Sequence, residues 1–427
     1  MESIIASGND QRIPELDIAV YQDQASYILS RSQTQTTCPT PILSPNAVRT
    51  AKFSIVDGNF LDLSSLTFSF TIRNNDNTNQ LRPCNAICSN WFRRMVLKVN
   101  GTTVEDIQHM NRVERQIEMM VSTNKRRNWG DAGSGWAALS DNGIDALPKT
   151  IAAGGFKRVT FRPLSNGFLQ CGKLLPSLGG AAGGLVVELE LADLTEACVN
   201  HGTNSTNWQL ENMQINIDSV TLTSEMTNNF ADMLIKGGSL LFPYTANDCQ
   251  KLFLNGGANQ VLSVAKQYSR LASVIVSFTD TIGTPSADNA VGCNEKEANK
   301  FYLAANSFET VESNIQVNNM RWPNFNNVGC KQHYMRLLQG LGIWNSVSHS
   351  ANISEVGYGD GSQDSRQFMM MFDLEAMPTT SSSGVPVQGG GVVQVTGLNL
   401  GAPTTAFITC HHDAVLEIRS QGAIAYS

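Results

Sequence analysis

Residues 161–193 read FRPLSNGFLQCGKLLPSLGGAAGGLVVELELAD, and this stretch decides the fold class. It divides into one strand, a Gly-rich turn region and a second strand. In the second strand Leu185, Val187, Leu189 and Leu191 fall on one face, with Val186, Glu188 and Glu190 on the other. Strict period two marks a half-buried antiparallel strand, because successive side chains leave opposite faces of the backbone. Gly179, Gly180, Gly183 and Gly184 invite a phosphate-loop reading, but no Lys-Ser/Thr follows and no helix is joined to a parallel strand. A wide turn between antiparallel strands accounts for them.

Upstream, FKRVTF sets Val159 and Phe161 against Arg158 and Thr160. Further back, Leu66, Phe68, Phe70 and Ile72 alternate with Thr67, Ser69, Thr71 and Arg73, after an Asp57-Gly58 turn signal. Met95, Leu97 and Val99 then lead into Asn100-Gly101, a hairpin dipeptide that favours positive φ at both central positions. The period changes at Met110, Val113, Ile117 and Met120, whose spacing predicts a short helix. Residues 124–150 read as a loop excursion with a basic start at Lys125, Arg126 and Arg127, expected to be a solvated face. Residues 1–48 are polar and Pro-interrupted, and are expected to form an extended arm with few internal contacts.

Downstream, Met213, Ile215 and Ile217 share a face and the apolar phase shifts at Val220 and Leu222, which predicts a bulge or bend. A connecting helix over EMTNNFADMLIKGG would stop at Gly237-Gly238. A second strand-rich block follows, with strands at Ala272 to Phe278, in ETVESNIQVNNMRWP ending at Pro323, in SRQFMMMFDLEAM, VVQVTGLNL and TTAFITC. It includes a helix carrying Tyr334, Leu337 and Leu338. PTTSSSGVPVQGGG reads as a long loop. In the closing strand Ala414, Leu416 and Ile418 oppose Val415, Glu417 and Arg419.

Each half therefore has strands, a short helix and a Gly-rich gap before closing strands, similar in pattern without an internal sequence repeat. About seven or eight antiparallel strands per block, with turns every ~8–12 residues, point to a sandwich or jelly roll. The expected class is all-β: two consecutive eight-stranded antiparallel jelly rolls with short helices in loops. The expected division is arm 1–48, first domain 49–224 and second domain 225–427, since a 427-residue chain exceeds the size at which single cores stop growing.

The formal charge of -7 argues against dominant phosphate-backbone binding. Only 16% of residues are charged, below the roughly 25% usual in globular domains, which suits neutral surfaces covered by neighbouring subunits. Nine scattered cysteines fit unpaired thiols in a reducing compartment. There is no signal-peptide core and no apolar run of about 18 residues, so an intracellular product without a transmembrane segment is expected.

No catalytic, cofactor-binding or metal-binding residues emerge. His411-His412-Asp413 is the tempting metal candidate, but adjacent strand positions face opposite ways. His109 and His333 lie in helix-like segments, as structural or surface groups. Cys84 and Cys88 lack a second pair, and Asp360 and Asp364 are too few acids for a calcium loop. Glu188 and Glu190 share a face as a glycosidase pair would, yet a same-strand pair is more simply a wall or interface group. Gly389-Gly390-Gly391 reads as turn geometry.

Three segments carry a resemblance: WFRRMVLKVNGTTVEDIQHMNRVERQ (91–116), the 161–193 stretch, and AVLEIRSQGAIAYS (414–427). With the size and two-block layout, the chain resembles the double jelly-roll major capsid proteins of eukaryotic double-stranded DNA viruses, nearest the virophage and Polinton-like virus group. The likeness covers most of the first domain and the carboxyl end. It implies a non-enzymatic structural subunit of the virion, without cofactors, forming pseudo-hexagonal homotrimers that tile an icosahedral shell. Implied partners are other copies, neighbouring capsomers, and penton and minor cement proteins, with no sequence-specific nucleic-acid binding. In the lettering of jelly-roll strands from B to I, the 161–193 stretch is then expected to run from F to G of the first barrel. The competing expectations are a carbohydrate-binding or carbohydrate-active β-sandwich, and a minor penton or spike protein.

Overall fold

The computed structural model describes residues 27–83, 87–122, 150–177, 184–198, 204–280, 307–344, 367–375, 384–387, 391–400 and 404–427, with 301, 303, 351, 353 and 355–359 besides. The first half contributes β1 (Ile28–Thr37), β2 (Ile42–Leu43), β3 (Thr50–Ile55), β4 (Phe60–Asn74), β5 (Phe92–Val99), β6 (Thr102–Gln108), β7 (Phe156–Phe161), β8 (Leu174–Pro176), β9 (Leu185–Leu191) and β10 (Trp208–Leu222). Helix α1 (Met110–Met120) follows β6, and the short α2 (Leu194–Ala197) follows β9. A linker helix, α3 (Ser224–Ile235), leads to β11 (Leu240–Leu254), β12 (Gly257–Val264), β13 (Tyr268–Asp280), β14 (Glu312–Val317) and β15 (Met320–Val328). Then come α4 (Gly329–Gly340), α5 (Glu355–Gly359), β16 (Met369–Asp373), β17 (Val385–Val387), β18 (Val393–Leu400), β19 (Thr404–Arg419) and β20 (Gly422–Tyr426).

The strand orders are β1-β10-β4-β7 and β3-β9-β5-β6 in the first half, and β11-β19-β13-β16 and β12-β18-β14-β15 in the second. All of their pairings are antiparallel. Lettered B to I in chain order, both halves read B-I-D-G in one sheet and C-H-E-F in the other. That is a jelly roll, twice. Strands β2, β8, β17 and β20 are additions to the B-I-D-G sheets.

This topology moves one boundary and one assignment. Ile28–Thr37, expected in an arm with few internal contacts, is strand B of the first barrel and pairs with β10 from Ile28↔Leu222 to Thr37↔Gln214. Its sequence hides it, because SRSQTQTT on an exposed sheet edge has no apolar face to alternate. Counting from β1, the 161–193 stretch runs from strand G to strand H, one step later than F to G. Residues 1–26 lie outside the described residues.

The alternation elsewhere is realised side chain by side chain. Leu185, Val187, Leu189 and Leu191 are fully buried, a burial worth about 1.5–3 kcal/mol each. Asn100 and Gly101 take φ 50° and 80°, the positive values a two-residue hairpin needs. The second barrel repeats the device at Asn318 and Asn319, φ 48° and 66°, between β14 and β15. β15 does not end at Pro323 but continues to Val328. It is the outer strand of its sheet, where a missing N–H removes no ladder bond. The irregularity expected at Val220 and Leu222 falls against β1, where the register shifts between Ile28↔Leu222 and Ser30↔Thr221; against β4, Val220 pairs in register and the shifts lie earlier, at Glu211/Gln214 and Asn216/Asp218. Within the long loop, Val385–Val387 pairs with β13 and buries Val387 completely. Helix α3 is capped by Thr223, whose hydroxyl accepts from Met226 N, and gives way to Gly237 at φ 87°.

Two cores result, one per barrel. The first is anchored by Trp91 and Trp208, ring centroids 4.7 Å apart, and by Phe53, Phe68, Phe70 and Phe92. The second holds Tyr268, Phe278, Phe368 and Tyr358. The first core also includes Phe242, Tyr244, Phe407 and Leu416 of the second barrel. The two barrels share a packed seam.

Candidate assembly surfaces

The seam is built from strand F of the first barrel and strand B of the second, β6 and β11, which lie side by side. Helix α1, which follows β6, runs between the barrels. Periodicity assigns it one apolar face, yet Asn111, Arg112, Glu114, Gln116 and Glu118 are buried together with Met110, Val113 and Met119. A helix covered from two sides needs polar partners on its second side. Gln116 supplies them: its Nε2 donates to Ser277 Oγ at 2.9 Å, and its Oε1 accepts from Thr409 Oγ1 at 2.7 Å. Arg112 and His109 both pack on Phe407, at 5.1 and 5.2 Å from the ring.

Two buried carboxylates fasten the loop between β7 and β8 onto this seam. Glu114 accepts from Leu164 N, Ser165 N and Ser165 Oγ, each at 2.7 Å. Glu105 accepts from Gly167 N at 3.2 Å and Phe168 N at 3.3 Å. Burial disfavours the charge and pushes each carboxyl up to about 7, against the lowering pull of those N–H and O–H donors. The fastened loop reaches the second barrel directly. Phe168 lies 5.4 Å from the ring of Tyr244 and 6.3 Å from that of Phe242, Asn247 Nδ2 donates to Ser165 O, and Tyr244 OH donates to Val104 O at 2.7 Å. A Cβ on Gly167 would sit 1.6 Å from Thr245 O, so only glycine lets the two backbones approach this closely.

The corresponding parts on the outer sides of the molecule carry no second barrel among the described residues, although α5 touches α4 through Tyr358 and Tyr334. Strand F of the second barrel is β15, and it too is followed by a helix, α4. Only Gly329, Cys330, His333 and Leu337 of α4 are buried. Met320, Trp322 and Phe325 of β15 are 64%, 55% and 56% exposed, with Val328, Met335 and Trp344 exposed nearby in the chain. A groove of about 140 Å³ separates β15 from α4 and β16, lined by Trp322, Arg336, Gly340 and Met371 among others. Strand B of the first barrel, β1, is the outer strand of its sheet, and Leu29 is 66% exposed.

The residues weighed as catalysts or ligands have structural settings. His411 and His412 are successive positions of β19. His412 packs on the Tyr268 ring at 4.6 Å, and His411 lines a cleft of about 440 Å³ at the seam with Asn247 and Gln170. Burial pushes both down to about 4, so neither is protonated at neutral pH. His109 is the buried N-cap of α1, and His333 is buried in α4 between Gly329 O and Ser313 Oγ, both at 2.7 Å. Cys88 is buried, while Cys84, Asp360, Asp364, Lys125, Arg126, Arg127, Gly389 and Gly390 lie outside the described residues. Glu188 stands on the barrel wall between Lys98 Nζ at 2.8 Å and Lys52 Nζ at 3.3 Å. Gly184 answers to space: a Cβ there would lie 2.2 Å from Ile55 O. Gly179, Gly180 and Gly183 lie outside the described residues. Among the described residues no three His, Cys, Asp or Glu side chains are grouped to hold a metal, and no helix is long and apolar enough to cross a membrane. The seam itself was missed in the sequence. Its one signal was a polar run, Arg112 to Glu118, inside an apolar helix period.

No family model and no curated protein matches the chain. Solved structures do. The VP54 protein of PBCV-1, fitted into a reconstruction of the virophage Sputnik, superposes with a TM-score of 0.62 at 11% identity, covering 95% of this chain and 98% of that one. The Faustovirus major capsid protein gives 0.56 at 10% identity over 98% and 97%, and the mavirus major capsid protein 0.53 at 9% over 95% and 91%. At such identities the likeness speaks for the fold, and over nearly the whole of each chain. This chain has the double jelly-roll fold of viral major capsid proteins.

Proposed function

We propose that the chain is a major capsid protein, a non-enzymatic structural subunit of the virion whose homotrimers form pseudo-hexagonal capsomers of an icosahedral shell. The observation that carries this reading is the seam. Two similar barrels are held at a fixed angle by buried hydrogen bonds and a glycine contact, so three copies offer six similar units around one axis. Its partners are other copies, neighbouring capsomers, and penton and minor cement proteins. A net charge of -7 argues against dominant phosphate-backbone binding, and the proposed role includes no sequence-specific nucleic-acid binding. Functionally the chain divides near residue 224, where α3 links the barrels, and the segment before residue 49 supplies strand B of the first barrel besides any arm.

Electron microscopy and sedimentation of the expressed full chain test this reading. Trimers of pseudo-hexagonal outline, and lattices of them, are the expected result. Chains that stay monomeric at high concentration, above all if they bind glycans, would overturn it.

A further inference from the structure

The cleft at the seam has a volume of about 440 Å³, within the range of about 300–1,000 Å³ typical of pockets for small molecules. Both barrels contribute to its wall. Ile117 of α1, with Leu164 and Cys171 of the loop between β7 and β8, comes from the first; Pro243 and Asn247 of β11 and His411 of β19 come from the second. Asn247 and His411 are direct partners across the β11–β19 ladder, so their side chains leave the same face of the sheet. Each carries a buried polar atom without a hydrogen-bond partner among the described residues, Asn247 Oδ1 and His411 Nε2. Asn247 is only 7% exposed, and its amide is held: Nδ2 donates to Ser165 O, a carbonyl that can only accept, which leaves Oδ1 as the open acceptor. Buried polar atoms are paired in the great majority of cases, so two unpaired ones on the wall of one cleft call for a partner from outside the chain.

The lining also sets the charge of that partner. It contains no acid, lysine or arginine, and burial pushes His411 down to about 4, so its imidazole is neutral at pH 7. An ion placed there would lose its water without gaining a counter-charge. Water alone would pair the two polar atoms but would also wet Ile117, Leu164 and Pro243.

We infer that the seam cleft is a binding site for a compact uncharged molecule with an apolar body and one carboxamide group, whose N–H donates to Asn247 Oδ1 and whose oxygen accepts from His411 Nε2. A carboxamide suits the pair because its donor and acceptor are separate atoms that serve two side chains at once. Its body packs on Ile117, Leu164 and Pro243, so the bound molecule touches both barrels and braces the angle between them. The site lies within one chain, and it stands or falls whether or not the chain forms trimers.

Cys171 supplies the readout, because its half-buried thiol belongs to the cleft wall. The full-length chain is alkylated with N-ethylmaleimide, and the rate at Cys171 is followed by peptide mass spectrometry with benzamide as the probe. Benzamide is expected to slow alkylation of Cys171 at least fivefold and saturably, and to leave Cys38, half-buried outside the cleft, unchanged. Toluene, which lacks the amide, and benzoate, which carries a charge, should each change the Cys171 rate less than twofold. A His411→Leu chain loses Nε2 at a half-buried position and should need at least tenfold more benzamide for the same protection. Unchanged thermal unfolding without benzamide verifies that this variant folds. Absence of protection by benzamide in the unaltered chain overturns the site, and that measurement needs no variant. Equal protection by toluene or benzoate, or an unaltered benzamide dependence in the folded His411→Leu chain, overturns the assigned carboxamide.

Discussion

The units β6–α1 and β15–α4 are the same piece of architecture, a fifth jelly-roll strand followed at once by a helix, yet they present opposite surfaces. The first is buried and polar in its contacts: Glu105, Glu114 and Gln116 all hydrogen-bond across or into the seam. The second carries no barrel among the described residues and is apolar at its rim, with Trp322, Phe325 and Met335 exposed. Tethering explains the contrast. Two barrels of one chain meet at high effective concentration, so their joint need not supply much association energy and can use directional hydrogen bonds to fix an angle. A joint between separate copies must first offset the lost translational and rotational freedom, which calls for aromatic and Met side chains.

Truncating one aromatic ring in the loop fastened to the seam and one on the β15 face gives the largest expected difference. Phe168 is fully buried against Tyr244 and Phe242, and Phe168→Ala should lower the unfolding free energy by about 3–5 kcal/mol. Trp322→Ala, at a site 55% exposed, should move the dissociated monomer by less than about 0.5 kcal/mol. Urea unfolding of both variants at dilute, monomeric concentration measures the gap. Equal costs would mean that the β15 face is a part of the monomer's core and not a surface awaiting a partner.

Much of the fold was legible because half-buried strands announce themselves. The alternations at Leu66–Ile72, Leu185–Leu191 and Ala414–Ile418 all appear as strands with the expected faces inward. Where two faces are wetted equally, or covered equally, alternation vanishes. β1 is the first case, and β11, buried continuously from Ala246 to Cys249, is the second. The seam was illegible for a related reason. Burial of Glu105, Glu114 and Gln116 depends on groups more than 50 residues away in sequence, at Ser165, Gly167, Ser277 and Thr409, and local periodicity carries no information about distant partners.

Seam carboxylates also give the two units different responses to pH. In the fold Glu105 and Glu114 are pushed up to about 7, above the usual carboxylate value of the unfolded chain. Stability from such groups is fully present below that usual value and is lost as pH rises through about 7, on the order of 3 kcal/mol for each. The buried His109, His333 and His412 and the half-buried His411, pushed down to about 4, act in the opposite sense as pH falls below their usual value. The measurement is therefore a difference: denaturant midpoints of the unaltered chain against a Glu105→Gln, Glu114→Gln chain from pH 4.5 to 8. The double variant should gain in relative stability as pH rises across that range. A constant difference would show that the loop clamp holds equally well with ionised carboxylates, and that the seam has no titratable part.

The smallest effect is expected on the strand Leu185–Leu191, and it sharpens the contrast from the other side. Glu188 sits on β9 between Lys98 and Lys52, and the hydrogen bond from Lys98 holds its carboxyl below the ordinary value, the reverse of Glu105 and Glu114. Its contribution is thus present above the usual carboxylate range and fades as pH falls through it. The lysines around it are part-exposed, so solvent screens the pair and Glu188→Gln should cost less than about 1 kcal/mol. High salt should erase even that. A loss well above 2 kcal/mol that persists in salt would mean the Glu188 face is covered in solution, placing the C-H-E-F wall of the first barrel among the surfaces that a neighbouring copy occupies.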